Sequence, residues 1–278
     1  MSLVLRNIKG SPLTFNEMDD NLTYLEGLSG GGGIEGTQYI YVSANGTPTE
    51  NAQELQDAYD EAKTMSPASD NRIVVILGPG EYQFTSIFTM DTEYIDLVSL
   101  TGLRDVTFDL SGITDPFDFI DPSNQVTSPV LLVDTDNVYV RGIKTKVYNS
   151  PNFDALFGQG TDYPLPLTIS DDLPNLVMEN CEGGINSFGS SGQASGTFTN
   201  CQGGDFSFGG AQVFGGGAQT SGTFTNCQGG NNSFGGGFGT LSGQLYYCRL
   251  TTGTFQTVSG TGVTVLCIDG NNEINTQN

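Results

Sequence analysis

Five cysteines recur at nearly regular intervals near the end of the chain. Successive separations are 20, 26, 21 and 19 residues, at Cys181, Cys201, Cys227, Cys248 and Cys267. A period of this size is typical of a solenoid whose coils stack on one another, and not of a globular sheet. The stretch SGTFTNCQGG at 195–204 returns unchanged at 221–230, so successive coils contribute equivalent residues to the predicted stack.

Other residue types keep a fixed distance from these cysteines. Phenylalanine follows the first three cysteines by seven residues, and asparagine precedes each of the three directly: Phe188, Phe208 and Phe234; Asn180, Asn200 and Asn226. Equivalent residues of stacked parallel strands lie about 4.8 Å apart. We therefore expect a core in which cysteine packs on cysteine and phenylalanine on phenylalanine.

The asparagines are predicted at a corner of each coil. Phe198 and Cys201 are three residues apart, so strict alternation places them on opposite faces of a strand. Both can face the interior only if the chain bends between them, and asparagine adopts the left-handed conformation at low cost. Their stacked amides could then hydrogen-bond along the axis.

Glycine pairs follow the same cysteines and are predicted as further corners with positive φ: Gly183–Gly184, Gly203–Gly204 and Gly229–Gly230. A flexible glycine-rich linker is the alternative interpretation. The cysteines are odd in number and spaced about once per coil, which is neither a disulfide framework nor a zinc pattern. We expect the cysteines to be reduced and buried, and to pack as small apolar residues.

The middle of the chain shows the same strand signals with less exact repetition. Residues 73–77 form an apolar run bounded by Gly-Pro-Gly, which predicts a strand buried between coils. Apolar residues alternate with polar ones at Val106, Phe108 and Leu110 and again at Val138 and Val140. At about 22 residues per coil, residues 73–268 predict about nine coils and a column roughly 40 Å long.

Caps are expected at both ends, because a solenoid exposes its interior there. Asn51 and Glu54 resemble a capping box and predict a helix over 51–64. Its apolar stripe is Ala52, Leu55, Ala58, Tyr59 and Ala62. At the other end only the polar tail DGNNEINTQN follows Ile268, so either this tail or a neighbouring molecule caps the last coil.

Residues 38–84 carry a family resemblance in the phrases YIYVSANGT, ENAQELQDAYDEAK and IVVILGPGEYQF. This stretch resembles the N-terminal part of the pectin-lyase-like β-helix superfamily, which includes many bacteriophage tailspikes and fibres. With the later coils, the resemblance covers about four-fifths of the chain. It implies an all-β, single-stranded, right-handed parallel β-helix over 37–278, often assembled as a homotrimer.

Residues 1–36 are predicted as a separate attachment or oligomerisation segment. Thr14 and Glu17 resemble a capping box, and an a/d seam with spacings of 3, 4 and 3 follows: Phe15, Met18, Leu22 and Leu25. The alternative is a short helix docked on its own domain or on another protein. Residues 30–33 are glycines that predict a hinge.

The phrase KGSPLTFNEMDDNLTYL within this segment resembles a short stretch that recurs in phage tail-fibre and other virion proteins, usually near a terminus. The resemblance implies attachment to a virion or self-association. It does not imply a chemical activity.

Charge and hydropathy restrict the partners. Thirty-one acidic against nine basic residues give a net charge of -22, which repels phosphate backbones and anionic lipid. The opening residues lack the apolar region of a secretory signal, and no stretch is apolar enough to span a bilayer. We expect a soluble protein that binds no nucleic acid and inserts into no membrane.

Catalysis is considered because many β-helix relatives cleave polysaccharides, with paired carboxylates or with calcium and an arginine. Weak candidates are Asp115, Asp118, Asp121, Asp134, Asp136 and Arg141. Two acids about 5 to 10 Å apart would suit glycoside hydrolysis, and acids beside Arg141 would suit calcium-assisted elimination. The alternative is that these acidic residues lie in solvated loops at coil corners. One acidic cluster could also bind calcium in a purely structural role. No other cofactor or metal is expected.

Two absences weigh against catalysis. The chain has no histidine, which excludes a histidine-based triad or zinc site. It also has no tryptophan and so lacks the strongest sugar-stacking side chain. Tyrosines could stack on sugars instead: Tyr82, Tyr139, Tyr148 and Tyr163.

The sequence therefore predicts a structural virion protein, a fibre or spike subunit assembled in the host cytoplasm and attached to other virion proteins through its N-terminus. Insertions at 114–128 and 157–166 would contact a host surface glycan or a second virion protein. The alternatives are a tailspike polysaccharide depolymerase and a non-viral adhesin.

Overall fold

The structure is a computed structural model. It describes residues 37–110, 120–121, 125–126, 129–148, 163–164, 167–169, 172–184, 187–189, 193–209, 219–234, 240–252 and 263–277. The predicted helix and seam of residues 1–36 lie outside the described residues.

One long parallel sheet runs the length of the molecule. Nine of its strands follow one another in chain order: β1 (Thr37–Val42), β2 (Arg72–Leu77), β5 (Ile95–Ser99), β10 (Tyr139–Arg141), β15 (Val177–Glu179), β17 (Thr197–Thr199), β19 (Thr223–Thr225), β22 (Gln244–Tyr246) and β24 (Val263–Ile268). Such stacking of successive coils is the predicted right-handed parallel β-helix, so the predicted fold class is confirmed.

Two further parallel sheets form the other sides of the early coils. One contains β3 (Gly80–Gln83), β6 (Val106–Asp109) and β11 (Ile143–Thr145), and the other β4 (Phe88–Met90), β9 (Leu131–Val133) and β14 (Leu167–Ile169). Later coils add the parallel strands β16 (Gln193–Ala194), β18 (Gln219–Thr220) and β21 (Thr240–Leu241), and the pair β20 (Gln228–Gly229) and β23 (Arg249–Leu250).

Two antiparallel pairs lie beside the early coils: β7 (Ile120–Asp121) with β8 (Gln125–Val126), and β12 (Val147–Tyr148) with β13 (Tyr163–Pro164). They fall within or beside the two predicted insertions. These insertions lengthen two coils: Leu97 aligns with Val140, 43 residues later, and Val140 with Met178, 38 residues later. From residue 73 onward the described part of the long sheet therefore has eight strands, one fewer than the predicted nine coils.

The strands pack one face into a continuous apolar core. In β2, Ile73, Val75 and Leu77 are fully buried, whereas the alternate residues are half-buried. The strand predicted over 73–77 is therefore confirmed, with one face and not both facing the core. The apolar residues predicted to alternate inward in β6 and near β10 are also buried.

The predicted columns of like side chains are confirmed. The ring of Phe208 stacks 4.7 Å from the rings of Phe188 and Phe234, at interplanar angles of 8° and 0°. A second column pairs Phe198 with Phe224 at 4.9 Å. Ring planes this close and parallel fill the interior between coils without gaps.

The five cysteines form the third column, and all are free and buried. Each thiol donates to carbonyls of its own and the preceding coil; Cys201 Sγ lies 3.5 Å from both Thr199 O and Met178 O. Burial raises the pKa of the Cys181 thiol, which keeps it protonated. Because all five are buried and each thiol donates to backbone carbonyls, the cysteines act as small apolar residues with a weak donor, as expected.

The corner asparagines adopt the predicted left-handed conformation, with φ of 53°, 54° and 53° at Asn180, Asn200 and Asn226. Tyr247 and Leu266 take the equivalent place in the last two coils, with φ of 56° and 49°. A left-handed conformation costs an L-residue other than glycine or asparagine about 1 to 2 kcal/mol. The Asn180 amide donates to Gly102 O at 3.0 Å, and among the described residues no hydrogen bond joins the amides of two corner asparagines as predicted.

The Asn226 corner predicts a measurable backbone effect. Asn226 is exposed, so we expect Asn226→Ala to lower the free energy of unfolding by about 1 to 2 kcal/mol, because alanine gains no contact that offsets the left-handed strain. Asn226→Gly is the matched control and should change it by less than about 1 kcal/mol. Urea unfolding followed by circular dichroism compares the variants, and equal losses in both would contradict this account.

The prediction for the glycine pairs is wrong. None of these six glycines is among the positive-φ residues. The left-handed corners lie instead at the phenylalanines that follow, with φ of 56°, 55° and 54° at Phe188, Phe208 and Phe234. The first glycine of each pair is required for space, because a Cβ at Gly203 or Gly229 would lie 2.5 Å from the Cβ of Ser207 or Ser233.

The helix α1 (Pro48–Thr64) covers the first coils and buries the predicted stripe. It begins three residues before the predicted start, because the capping box is Thr47 with Glu50 and not Asn51 with Glu54. Asn51 is buried and links two neighbours: it accepts from Gly46 N and donates to Glu81 O. Within the described part of the chain, no helix is long and apolar enough to cross a membrane.

The C-terminal tail supplies the other cap. The strand β25 (Ile274–Gln277) pairs antiparallel with β24 after a turn in which Asp269 Oδ1 accepts from Asn271 N and Glu273 N. Of the two alternatives left open for this end, the tail itself therefore caps the last coil.

Candidate functional site

The outer face of the long sheet brings together a tyrosine, an arginine and a glutamate. Arg141 of β10 is in register with Glu179 of β15, and Tyr139 lies two residues before Arg141 on the same face. The Tyr139 hydroxyl donates to Glu179 Oε2 at 2.5 Å, and Arg141 Nε lies 3.8 Å from the same oxygen. Among the described residues, Arg141 Nε is buried and has no hydrogen-bond partner.

A second ion pair lies where the chain leaves this sheet. Arg104, in the turn after β5, donates through Nη1 to Glu182 Oε2 and Gln202 Oε1, both at 3.2 Å. Its Nη2 donates to Asn200 O. One guanidinium therefore ties the turn of an early coil to the second and third coils after it. We call Arg104, Tyr139, Arg141, Glu179 and Glu182 the arginine–glutamate corner.

Gly102 allows the turn to approach this corner closely. Its φ is 69°, and a Cβ there would lie 2.6 Å from Arg141 Cζ. Both the backbone conformation and the space under the guanidinium thus require glycine.

Burial raises the pKa of Tyr139 to about 12, and the Glu179 carboxylate beside it acts in the same direction. The hydroxyl therefore remains a donor at neutral pH. The corner therefore gathers guanidinium donors, carboxylate acceptors and a half-buried aromatic ring on the outer face of the sheet.

Of the predicted catalytic candidates the structure describes Asp134, Asp136 and Arg141, and among the described residues neither acid forms an ion pair with Arg141. Asp136 accepts from Asn175 N at 2.8 Å and Nδ2 at 2.7 Å, and so connects two turns. Asp134 is exposed. The acid beside Arg141 is Glu179 and not Asp134 or Asp136, because coil stacking aligns β10 with β15.

The remaining candidates are not tested. Asp115, Asp118 and the side chain of Asp121 lie outside the described residues, so their candidacy as catalytic acids stays a prediction. Within the described ranges, no group of three or more acidic or cysteine side chains is placed to hold a metal ion.

The tyrosine predictions have mixed outcomes. Tyr82 cannot stack on a sugar, since it is fully buried and donates to Gly78 O at 2.9 Å. Tyr139 is half-buried at the corner. The side chains of Tyr148 and Tyr163 lie outside the described residues.

Comparison with known proteins gives one structural similarity. The crystal structure of the pectin methylesterase from Aspergillus niger, in deglycosylated form, is similar over 83% of this chain and 74% of that chain, with 17% identity and a TM-score of 0.46. No protein-family model matches the chain, and no curated protein matches it. A similarity this low carries no conclusion about activity or substrate.

Sequence reasoning missed Arg104, Glu179 and Glu182. A signal was present in the repeat, because the positions equivalent to Glu179 are Thr199 and Thr225, and those equivalent to Glu182 are Gln202 and Gln228. Two glutamates in one coil thus depart from an otherwise uncharged pattern. The partner Arg104 lies 78 residues before Glu182 and has no local signal.

The contact between Tyr139 and Glu179 predicts a shift in tyrosine ionisation. Glu179→Gln removes the charge that opposes a phenolate, so we expect the pKa of Tyr139 to fall below about 12 but to stay above its ordinary value near 10, because burial persists. Ultraviolet difference titration measures it, with Tyr139→Phe identifying the signal. Glu93→Gln, at another surface acid, is the control and should leave the titration unchanged; an unshifted Tyr139 in Glu179→Gln would refute the assignment.

Proposed function

We propose that this protein is a structural virion component, a fibre or spike subunit that is attached to other virion proteins through residues 1–36. The observation that supports the proposal most is that the chain closes its own solenoid. α1 packs on the first coils and β25 pairs with the last strand. Residues 1–36 are therefore not required as a cap, and their resemblance to virion segments supports a role in attachment.

The core supports a mechanical role as well. Aligned columns of phenylalanine and cysteine connect the later coils directly to one another, and the long sheet is continuous from β1 to β24. A close-packed interior of this kind resists bending and compression. This suits a projecting element that holds a surface at a fixed distance from its attachment point.

The proposal is tested on particles. We expect mass spectrometry of purified phage particles to find the chain, and immunogold labelling to place it on an appendage. Leu22→Asp with Leu25→Asp should abolish incorporation, because both changes disrupt the predicted seam. Thr23→Asp, a polar position of the same segment, is the control. Absence from particles would exclude the assignment.

A second candidate is a polysaccharide depolymerase that uses the arginine–glutamate corner. The observation that favours it is the Glu179 carboxylate between a protonated tyrosine and an arginine on an exposed face. Release of reducing ends or unsaturated sugars from capsular and lipopolysaccharide preparations measures the activity. Loss of turnover in Glu179→Gln but not in Glu93→Gln would support this candidate, and no turnover by the unaltered protein would exclude it for these substrates.

A further inference from the structure

The strand β1 has one unpaired side within the described part of the chain. It pairs in parallel with β2 along all six of its residues, from Thr37 to Val42, and no described strand pairs with its other side. At the opposite end of the column, β25 is antiparallel to its neighbour, and the register shifts between Thr264 and Cys267. Of these two edge strands, β1 is therefore the regular one.

The free edge of β1 presents backbone donors and acceptors at strand spacing. On the side of β2, Val42 O accepts from Gly78 N at 2.8 Å. Backbone groups of successive strand residues point to opposite sides, so those of Thr37, Tyr39 and Tyr41 point away from β2. No other described residue forms a hydrogen bond with these groups. Their alternating N–H and C=O groups match the backbone of another extended strand.

β1 also lacks the features that keep edge strands from pairing. Edges are usually protected by charged side chains, proline, bulges or very short length. The β1 sequence, TQYIYV, contains no charged residue and no proline, and its pairing with β2 has no register shift. Tyr39 and Tyr41 on its outer face are 63% and 58% exposed, and Ile40 on the inner face is half-buried. An edge of this kind accepts a further strand.

The surroundings of β1 set the charge of the strand that fits. The helix α1 packs against β1. An open groove of about 500 Å³ follows the end of β1 and is lined by Asn45, Gly46, Glu50, Gln53, Glu54 and Asp57. The described ion pairs of α1 join Lys63 to Asp60 and Asp91, so Glu54 and Asp57 have no cation among the described residues. A second copy of this chain would bring a second acidic α1 to this end, where like charges repel.

We propose that β1 binds an extended segment of another protein, which adds a strand to the long sheet. This segment is uncharged along β1 and basic where it passes the groove. The backbone groups of β1 fix the class of partner, because a polypeptide strand alone offers alternating N–H and C=O groups at this spacing. Its outward side chains pack beside the rings of Tyr39 and Tyr41, and its inward side chains cover Ile40.

The inference does not rest on the proposed function, because this edge is present whether or not the chain belongs to a virion. A synthetic peptide tests it, in which valine alternates with threonine between two terminal lysines. Fluorescence anisotropy of the dye-labelled peptide measures its affinity for the intact chain, and we expect saturable binding. The same peptide with glutamates in place of the lysines should bind about tenfold more weakly or worse, because the groove is acidic.

Tyr39→Pro separates backbone pairing from contact with the ring. Proline removes a donor from the free edge and takes no hydrogen bond from β2, and it is tolerated on an edge of this kind. Tyr39→Thr is the matched control, because it loses the same ring but keeps the N–H. We expect Tyr39→Pro to bind the peptide about tenfold more weakly than Tyr39→Thr, or worse. Circular dichroism confirms that each variant is folded.

Hydrogen exchange gives a second measurement on the unaltered chain, which decides the matter if Tyr39→Pro fails to fold. Saturating peptide should slow exchange of the Tyr39 and Tyr41 amides by about tenfold or more, because both become hydrogen-bonded. Absence of saturable binding overturns the proposal, and so does equal affinity of Tyr39→Pro and Tyr39→Thr. Amides already protected without peptide also overturn it, since the edge is then occupied by the chain itself or by a second copy, which sedimentation velocity tells apart.

Discussion

Replacing Phe208 with alanine is expected to lower the free energy of unfolding by about 3 to 5 kcal/mol. Phe208 is fully buried between Phe188 and Phe234, and its ring also meets Phe198 and Phe224 edge-on at 5.9 and 5.7 Å. The backbone ladders on both sides hold these rings in place, so the cavity cannot collapse. Urea unfolding followed by circular dichroism measures the loss.

Two variants control this measurement. Phe208→Leu keeps part of the volume and should cost less than Phe208→Ala. Thr199→Ala changes an outward, half-buried side chain in the same coil and should cost less than about 1 kcal/mol. Equal losses in Phe208→Ala and Thr199→Ala would show that the phenylalanine column does not hold the coils together.

The repeating part of the fold could be predicted from sequence because its period is visible in single residues. Asn200 between Phe198 and Cys201 indicated a corner, and the structure places a left-handed residue there. The glycine pairs were misread, because sequence reveals the conformational freedom of Gly203 but not the Ser207 side chain against it. The close packing of Ser207 on Gly203, within one coil, cannot be recognised from the neighbouring sequence.

The arginine–glutamate corner could be predicted only in part, because it depends on which coils become neighbours. Arg141 was recognised, but its expected partners were the nearest acids in sequence. Leu97 and its register partner Val140 are 43 residues apart, and Val140 and Met178 are 38 apart, so the stacking of Glu179 on Arg141 could not be counted from a regular period. Irregular coil lengths thus hide the contacts of the outer face, whereas the core columns remain visible.

Replacing Asp96 with alanine is expected to lower the free energy of unfolding by about 3 kcal/mol. Asp96 is buried on the long sheet and accepts from Arg72 Nε at 3.0 Å, from Arg72 Nη2 at 2.5 Å and from Tyr139 N at 2.8 Å. Removing the carboxylate leaves a partly buried guanidinium and a backbone N–H without these acceptors. Thermal and urea unfolding of Asp96→Ala measure the loss.

A double-mutant cycle separates the ion pair from the packing around it. Arg72→Met alone leaves the Asp96 carboxylate buried without its cation and should also cost about 3 kcal/mol. Asp96→Leu with Arg72→Met removes both charges, and we expect it to cost less than the sum of the single changes by at least about 1 kcal/mol. The single change Asp96→Leu completes the cycle. Additive losses would show that Arg72 and Asp96 stabilise the sheet independently, in conflict with their paired hydrogen bonds. A coupled result would mean that Asp96 is tolerated on the long sheet because Arg72 cancels its charge.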